Sequence, residues 1–274
     1  MIDISKINYS LLDRPEILMS LFHPRPEYKR SMSESDATDL MIPVEAEIVV
    51  GARFHLTDAS ACNILFFHGN GEIVADYDEF GRMMNQLGIN FLAVEYRGYG
   101  RSTGQPTITA MMRDCHIIFD YVTRWLAENG YPGPVVPMGR SLGSASVLEL
   151  AKHWASGIDG LIVESGFAHT DPLLRVLGVN TAEIGFEEAR GFGNIDKIHA
   201  FRKPTLIIHA EKDHIIPFPE GKALFEACPA SEKTFLKIPG ANHNNIFMYG
   251  LKPYLSAITH LAKRLTSDTQ KLQS

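Results

Sequence analysis

The chain has 274 residues, 45% hydrophobic and 21% charged, with a formal net charge of −6. This suits one large globular unit with a substantial core and excludes a nucleic-acid or anionic-lipid binder that works through a basic tract, since none occurs. No run of about 18 apolar residues exists, so no membrane span is expected.

The three cysteines, Cys62, Cys115 and Cys228, are odd in number and far apart. They lack the spacing of a disulfide framework or a metal site, which points to a reducing, cytoplasmic setting. The start, Met1 to Lys6, has no apolar run behind a basic segment, so no signal peptide is expected.

In chain order, residues 1–43 read as an N-terminal segment, with a helix over 13–22 and then a loop containing Pro24, Pro26 and the polar run 31–36. Residues 45–50 and 52–56 read as two short strands of a hairpin around Gly51. Residues 63–67 are an unbroken apolar run, as in a strand covered on both faces. A regular alternation follows: helix 73–87, strand 89–94, helix 109–128, strand 135–138, a helix ending near 154, and strand 161–163. Residues 166–203 then lack a core strand and read either as a small cap over a site or as an irregular crossover. Strand 205–209, helix 221–227, strand 234–238 and helix 246–265 complete a domain over 44–265, leaving 266–274 as a tail. Such alternation implies an α/β fold of parallel strands joined by right-handed crossovers.

Between the strand at 135–138 and the helix after it stands Gly139-Arg140-Ser141-Leu142-Gly143. This is the G-x-S-x-G pattern of a nucleophile elbow in its strand–turn–helix context. Glycines are needed two residues either side of the serine because a side chain there would meet a neighbouring element. The sharp turn lifts the hydroxyl to the start of a helix, where the dipole and free N–H groups favour negative charge. A serine hydroxyl needs a base, and the base needs a carboxylate to hold its tautomer. Asp213 follows strand 205–209 and His243 follows strand 234–238, so both reach the edge that carries Ser141. Glu164, at the end of strand 161–163, competes with Asp213 for the acid. A backbone N–H in His68-Gly69-Asn70-Gly71, with that of Leu142, would supply two donors to an oxyanion. His68 reads as a brace for that loop, Gly98, Gly100 and Gly104 as tight turns, and Trp125 and Trp154 as packing residues. Arg140 carries no assigned role.

The segments Phe66 to Gly71, Glu95 to Gly104, the Ser141 elbow, His209 to Pro217 and Gly240 to His243 together resemble the α/β-hydrolases. The resemblance is to the group containing the Bem46-like proteins and the serine hydrolases related to protein depalmitoylases, and it spans about residues 45–265. It implies Ser141 as nucleophile, His243 as general base, Asp213 as its orienter, and the N–H groups of Asn70 and Leu142 as oxyanion donors. It also implies an α/β-hydrolase fold: a central, mostly parallel eight-stranded sheet with its second strand reversed, helices on both faces and a small cap insertion. Unlike the depalmitoylase members, the chain has no N-terminal cysteine cluster.

The expected function is therefore a serine hydrolase that cleaves a carboxylic ester, with thioester and amide open, through an acyl-enzyme. Its substrate would be a small molecule or an acyl ester, with no cofactor, metal or nucleic acid involved. Two other readings stay open. Gly69-Asn70-Gly71 after a strand, with Glu95 ending the next, suggests an NAD-dependent oxidoreductase, although Val74 stands at the third glycine position. A non-catalytic ligand-binding protein of the same fold is the other. A histidine base works only as neutral imidazole, so turnover should fall away on the acid side of neutrality. A pH–rate profile that stays flat far into the acid range would contradict a histidine base.

Overall fold

The computed structural model describes residues 2–28 and 37–273; the polar run 31–36 lies outside them. Helix α1 (Pro15–Leu21) opens on a proline, whose missing N–H is harmless in a first turn. Strands β1 (Thr38–Glu45) and β2 (Ile48–His55) form an antiparallel hairpin. Then come β3 (Cys62–Phe67), a 3-10 turn over Val74–Tyr77, α2 (Asp78–Gln86), β4 (Ile89–Val94), α3 (Ile108–Glu128), β5 (Val135–Arg140), α4 (Gly143–His153) and β6 (Leu161–Glu164). Two short helices, α5 (Thr170–Val176) and α6 (Asn194–His199), lie between β6 and β7 (Thr205–Ala210), and α7 (Phe218–Ala227), β8 (Lys233–Ile238) and α8 (Ile246–Gln273) finish the chain.

The hairpin differs from the sequence reading. Its turn falls at 46–47, and Gly51 lies inside β2 opposite Met41. Gly51 is bonded on both sides there: its N–H donates to Ser102 Oγ at 2.9 Å, and its carbonyl accepts from Glu95 N at 2.9 Å. The glycine serves close packing, since an added Cβ would sit 3.4 Å from Glu95 Cγ. The end of the chain differs as well. Residues 266–273, expected as a tail, continue α8, broken only at Gly250 (φ −142°). No glycine or proline stops the helix after Leu265, and the Thr266 and Ser267 hydroxyls donate back to the carbonyls of Ala262 and Lys263.

The eight strands form one sheet in the order β1-β2-β4-β3-β5-β6-β7-β8. Only β2 runs against its neighbours, antiparallel to both β1 and β4; β4, β3, β5, β6, β7 and β8 are mutually parallel. Strand alternation splits the core into two layers. Leu65 and Phe67 of β3 face the layer built with α3, α4, α6 and α7, whereas Ile64 and Phe66 face the layer of α2 and α8. Each such fully buried side chain contributes about 1.5–3 kcal/mol of transfer free energy. Because β3, β5, β7 and β8 are parallel, the loops after them open at one edge, with Gly69, Ser141, Asp213 and His243 on them.

A buried polar cluster fastens the N-terminal segment to this frame. Glu149 of α4 accepts from Lys197 Nζ of α6 at 2.8 Å and faces His116 Nε2 of α3 at 3.2 Å, while Lys197 reaches the Tyr9 hydroxyl at 3.2 Å. The Trp154 indole N–H donates to His116 Nδ1 at 2.8 Å, so His116 carries its proton on Nε2 and gives it to Glu149. Trp154 therefore has a bonding role as well as a packing one. Burial pushes the Glu149 carboxyl up, but the His116 hydrogen bond and the Lys197 charge outweigh it and hold the carboxyl at about 2, against an ordinary 4.5. A depressed carboxyl stabilises above its unfolded value, and that contribution is lost as pH falls through the folded one. Denaturant midpoints of the wild type should therefore fall between pH 4.5 and about 2, and Glu149→Gln should lack that component. Parallel pH profiles for the two proteins would contradict it.

Candidate active site

The elbow is built by close contact. Ser141 has φ of +52°, a left-handed conformation that side chains rarely adopt. A Cβ on Gly139 would lie 2.3 Å from the Gly143 carbonyl oxygen, and one on Gly143 would lie 2.1 Å from that of Phe67. Strand β5, the first turn of α4 and the end of β3 thus meet at backbone distance, and the Ser141 N–H is fixed to the Glu164 carbonyl at 2.9 Å.

Around this point the three distant residues converge. Ser141 Oγ lies 3.0 Å from His243 Nε2, and His243 Nδ1 lies 2.8 Å from Asp213 Oδ2. The other carboxylate oxygen of Asp213 accepts from the backbone N–H groups of Ile215 and Ile216 at 3.0 and 2.8 Å. Burial raises the Asp213 carboxyl, but the His243 hydrogen bond and charge, with the Ile216 amide, bring it below its ordinary value. It is therefore ionised and acceptor-only, which places the proton of His243 on Nδ1 and leaves Nε2 free to accept from the serine. The competing acid, Glu164, is engaged elsewhere: it accepts from the Tyr254 hydroxyl at 2.6 Å, and burial pushes its carboxyl up.

Asn70 and Leu142 line the same cleft as Ser141 and His243. Among the described residues neither of their N–H groups has an acceptor within the protein. The Asn70 side chain is tied down, its Oδ1 accepting from the His23 N–H at 2.7 Å and from the Tyr99 hydroxyl at 2.7 Å. His68 anchors the base of this loop. Its Nδ1 donates to the Gly69 carbonyl at 2.7 Å and its Nε2 faces Glu95 at 2.9 Å. Burial lowers its pKa, yet the Glu95 hydrogen bond and charge carry it above the ordinary value, and both ring nitrogens face acceptors. The second Glu95 oxygen accepts the Val74 N–H at 2.9 Å. Glu95 is thus fully committed and buried, with nothing left for a ribose. Gly98, Gly100 and Gly104 all have positive φ, and a Cβ on Gly100 would stand 2.0 Å from Glu95 Oε1. All three form turns, and Gly100 packs directly against Glu95.

The cleft has a volume of about 150 Å³, and its apolar wall comprises Leu21, Leu142, Leu173, Leu177, Ile215 and Ile216. Leu173 lies on α5 and Leu177 just after it, so the 166–203 segment supplies part of the wall. Its other helix, α6, buries Ile198 in the core.

The sequence model of the serine aminopeptidase S33 family matches residues 59–186. A human protein named alpha/beta hydrolase domain-containing protein 17B is 33% identical over 195 residues, covering 68% of this chain and 62% of the relative. A mouse protein named alpha/beta hydrolase domain-containing protein 17C is 28% identical over 250 residues, covering 85% of this chain and 72% of its own length. Among solved structures, an esterase of Pyrococcus furiosus superposes with a TM-score of 0.72 at 15% identity, covering 89% of this chain and 99% of that one. Est1E of Butyrivibrio proteoclasticus, solved with ferulic acid bound, gives a TM-score of 0.68 at 17% identity, covering 83% and 99%. The chain belongs to the α/β-hydrolase superfamily. Within it, this hydrolase resembles the depalmitoylase-related group, as its motifs indicated. None of its described helices is long and apolar enough to cross a membrane.

Four contributors to the site escaped the sequence reading. Leu21 and His23 come from the segment before the domain, Glu72 follows the Gly69–Asn70 loop, and Arg140 occupies the variable position of the elbow. The only signal for the last was a charged residue set between an apolar strand and a buried turn. The tightest steric prediction concerns Gly143. Gly143→Ala should destabilise by at least about 1–3 kcal/mol, the ordinary cost of overpacking, and should lower activity by shifting the elbow. An unchanged denaturation midpoint would contradict the contact with Phe67.

Proposed function

We propose that this hydrolase cleaves carboxylic esters by acyl transfer to Ser141. The observation that carries the reading is the continuous hydrogen-bonded path from Ser141 Oγ through His243 to Asp213, at 3.0 and 2.8 Å. His243 Nε2 takes the hydroxyl proton as Ser141 Oγ attacks the carbonyl carbon. Asp213 offsets the charge that forms on the imidazole. The carbonyl oxygen becomes an oxyanion that accepts from the N–H groups of Asn70 and Leu142, and each such donor contributes about 3–4 kcal/mol to the transition state. Collapse expels the alcohol, protonated by His243, and leaves an acyl-serine. Water, activated by the same histidine, then releases the acid and restores the hydroxyl.

The esterase neighbours in fold support this chemistry, and a thioester would follow the same path. The cleft supports a small acyl group. A cavity of about 150 Å³ with aliphatic walls accommodates a molecule the size of benzene, which favours short acyl chains over a palmitoyl chain. The three cysteines are free and buried, which supports a reducing, cytoplasmic setting.

The purified protein should be labelled by a fluorophosphonate, and Ser141→Ala should abolish both labelling and hydrolysis of p-nitrophenyl acetate. Labelling that survives that substitution would sink the assignment. Asp213→Asn should lower kcat by roughly 10⁴-fold while the protein stays folded; a loss under about tenfold would return Glu164 to contention. Across p-nitrophenyl esters from acetyl to palmitoyl, kcat/KM should peak at six carbons or fewer, and a peak at palmitoyl would refute the small pocket.

A further inference from the structure

Arg140 sits between Gly139 and Ser141, yet its side chain serves other parts of the site. Its Nη2 donates to the backbone carbonyl of His243 at 3.1 Å. Its Nε lies 3.1 Å from Glu72 Oε1 and 3.7 Å from Glu164 Oε1. Glu72 in turn uses its other oxygen to accept the Gly69 N–H at 2.6 Å and the Tyr77 hydroxyl at 2.6 Å. Glu164 carries the backbone carbonyl that holds the Ser141 N–H. One guanidinium therefore connects the loop of the base, the loop of the oxyanion donors and the strand that braces the nucleophile. These pieces are separated by 171 residues of sequence, from Glu72 to His243, and no covalent feature links them.

We propose that Arg140 is a positioning residue that sets the distance between His243 and Ser141 and the attitude of the Gly69–Asn70 loop. The inference rests on the Ser141–His243–Asp213 reading above. The chemistry suits arginine alone: a planar fork can address a carbonyl and a carboxylate at once with a fixed angle between them, which a lysine ammonium cannot. The Arg140 bond is the one hydrogen bond to the His243 main chain that a side chain makes among the described residues. The bond from His243 Nδ1 to Asp213 leaves the ring free to swing about it, so main-chain anchoring decides where Nε2 points. The rival account is that Arg140 merely neutralises two buried carboxylates. On that account, removing a carboxylate together with the arginine should leave catalysis intact.

The test uses the full chain and p-nitrophenyl acetate. The double variant Arg140→Met/Glu72→Gln removes the charge pair together. Glu164, already bonded to Tyr254, can take a proton there. The expected result is a kcat lower by about 10–100-fold with KM within about twofold, since a misplacement on the order of 1 Å can cost about 10²-fold. The rate of fluorophosphonate labelling should fall by the same factor, because it reads the Ser141–His243 pair without a leaving alcohol. Arg140→Lys, which keeps the charge, should recover part of kcat. A double variant that retains kcat and labelling within about twofold would overturn the proposal, as would a loss confined to KM. If the double variant does not fold, Arg140→Lys decides alone: a kcat lowered about fivefold or more with an unchanged near-UV spectrum supports positioning, and an unchanged kcat refutes it. Ser141→Ala separates the two readings. Activity in that variant would refute the triad itself, whereas an inactive Ser141→Ala beside a fully active Arg140 variant would refute the positioning role only.

Discussion

The site depends on a backbone contact too tight for any side chain. Strand β5, the first turn of α4 and the end of β3 approach so closely that a Cβ on Gly139 or Gly143 would overlap a carbonyl oxygen. That approach forces Ser141 into a left-handed conformation, which a serine adopts only when its surroundings over-determine it. Buried strands on both sides and the bond from the Ser141 N–H to Glu164 provide that over-determination. The strain places the hydroxyl at the sheet edge, and the parallel arrangement of β3, β5, β7 and β8 brings every other component to the same edge.

Buried charge does the next share of positioning. His68 and Glu95 pair under the Gly69–Asn70 loop, and the turn at Gly100 packs against Glu95. Arg140 with Glu72 and Glu164 forms a second ionic group behind Ser141. Ion pairs of this kind add little net stability, because desolvation offsets most of the attraction. What they supply is direction. Arg140 reaches the His243 carbonyl and Glu72, and Glu95 holds both His68 and the Val74 N–H, so neighbouring loops have few alternative arrangements. The Glu149 cluster does the same farther out, holding α3, α4, α6 and the N-terminal segment in one register.

The N-terminal segment proves to be part of the site. Leu21 lines the cleft and His23 holds Asn70. Opposite it, Leu173 and Leu177 enter from the stretch between β6 and β7. Two pieces that lie outside the regular alternation of strand and helix therefore supply part of the cleft wall.

The sequence by itself determined the order of strands and helices, the elbow and the residues that meet around it. Ser141, Asp213 and His243 were legible because each follows a strand whose apolar pattern is local, and parallel strands deliver their ends to one edge. That Asn70 and Leu142 would reach the same cleft was legible by the same logic. The hairpin turn was misplaced because a glycine that admits close packing and a glycine that makes a turn look alike along the chain. The extent of α8 was missed because a helix without a stop signal runs on. Tertiary structure alone decided that Arg140 joins two loops to the end of β6, and that Leu21 walls the cleft. Those pairings depend on contacts between residues far apart in sequence, set by how the layers pack, and local pattern carries no record of them.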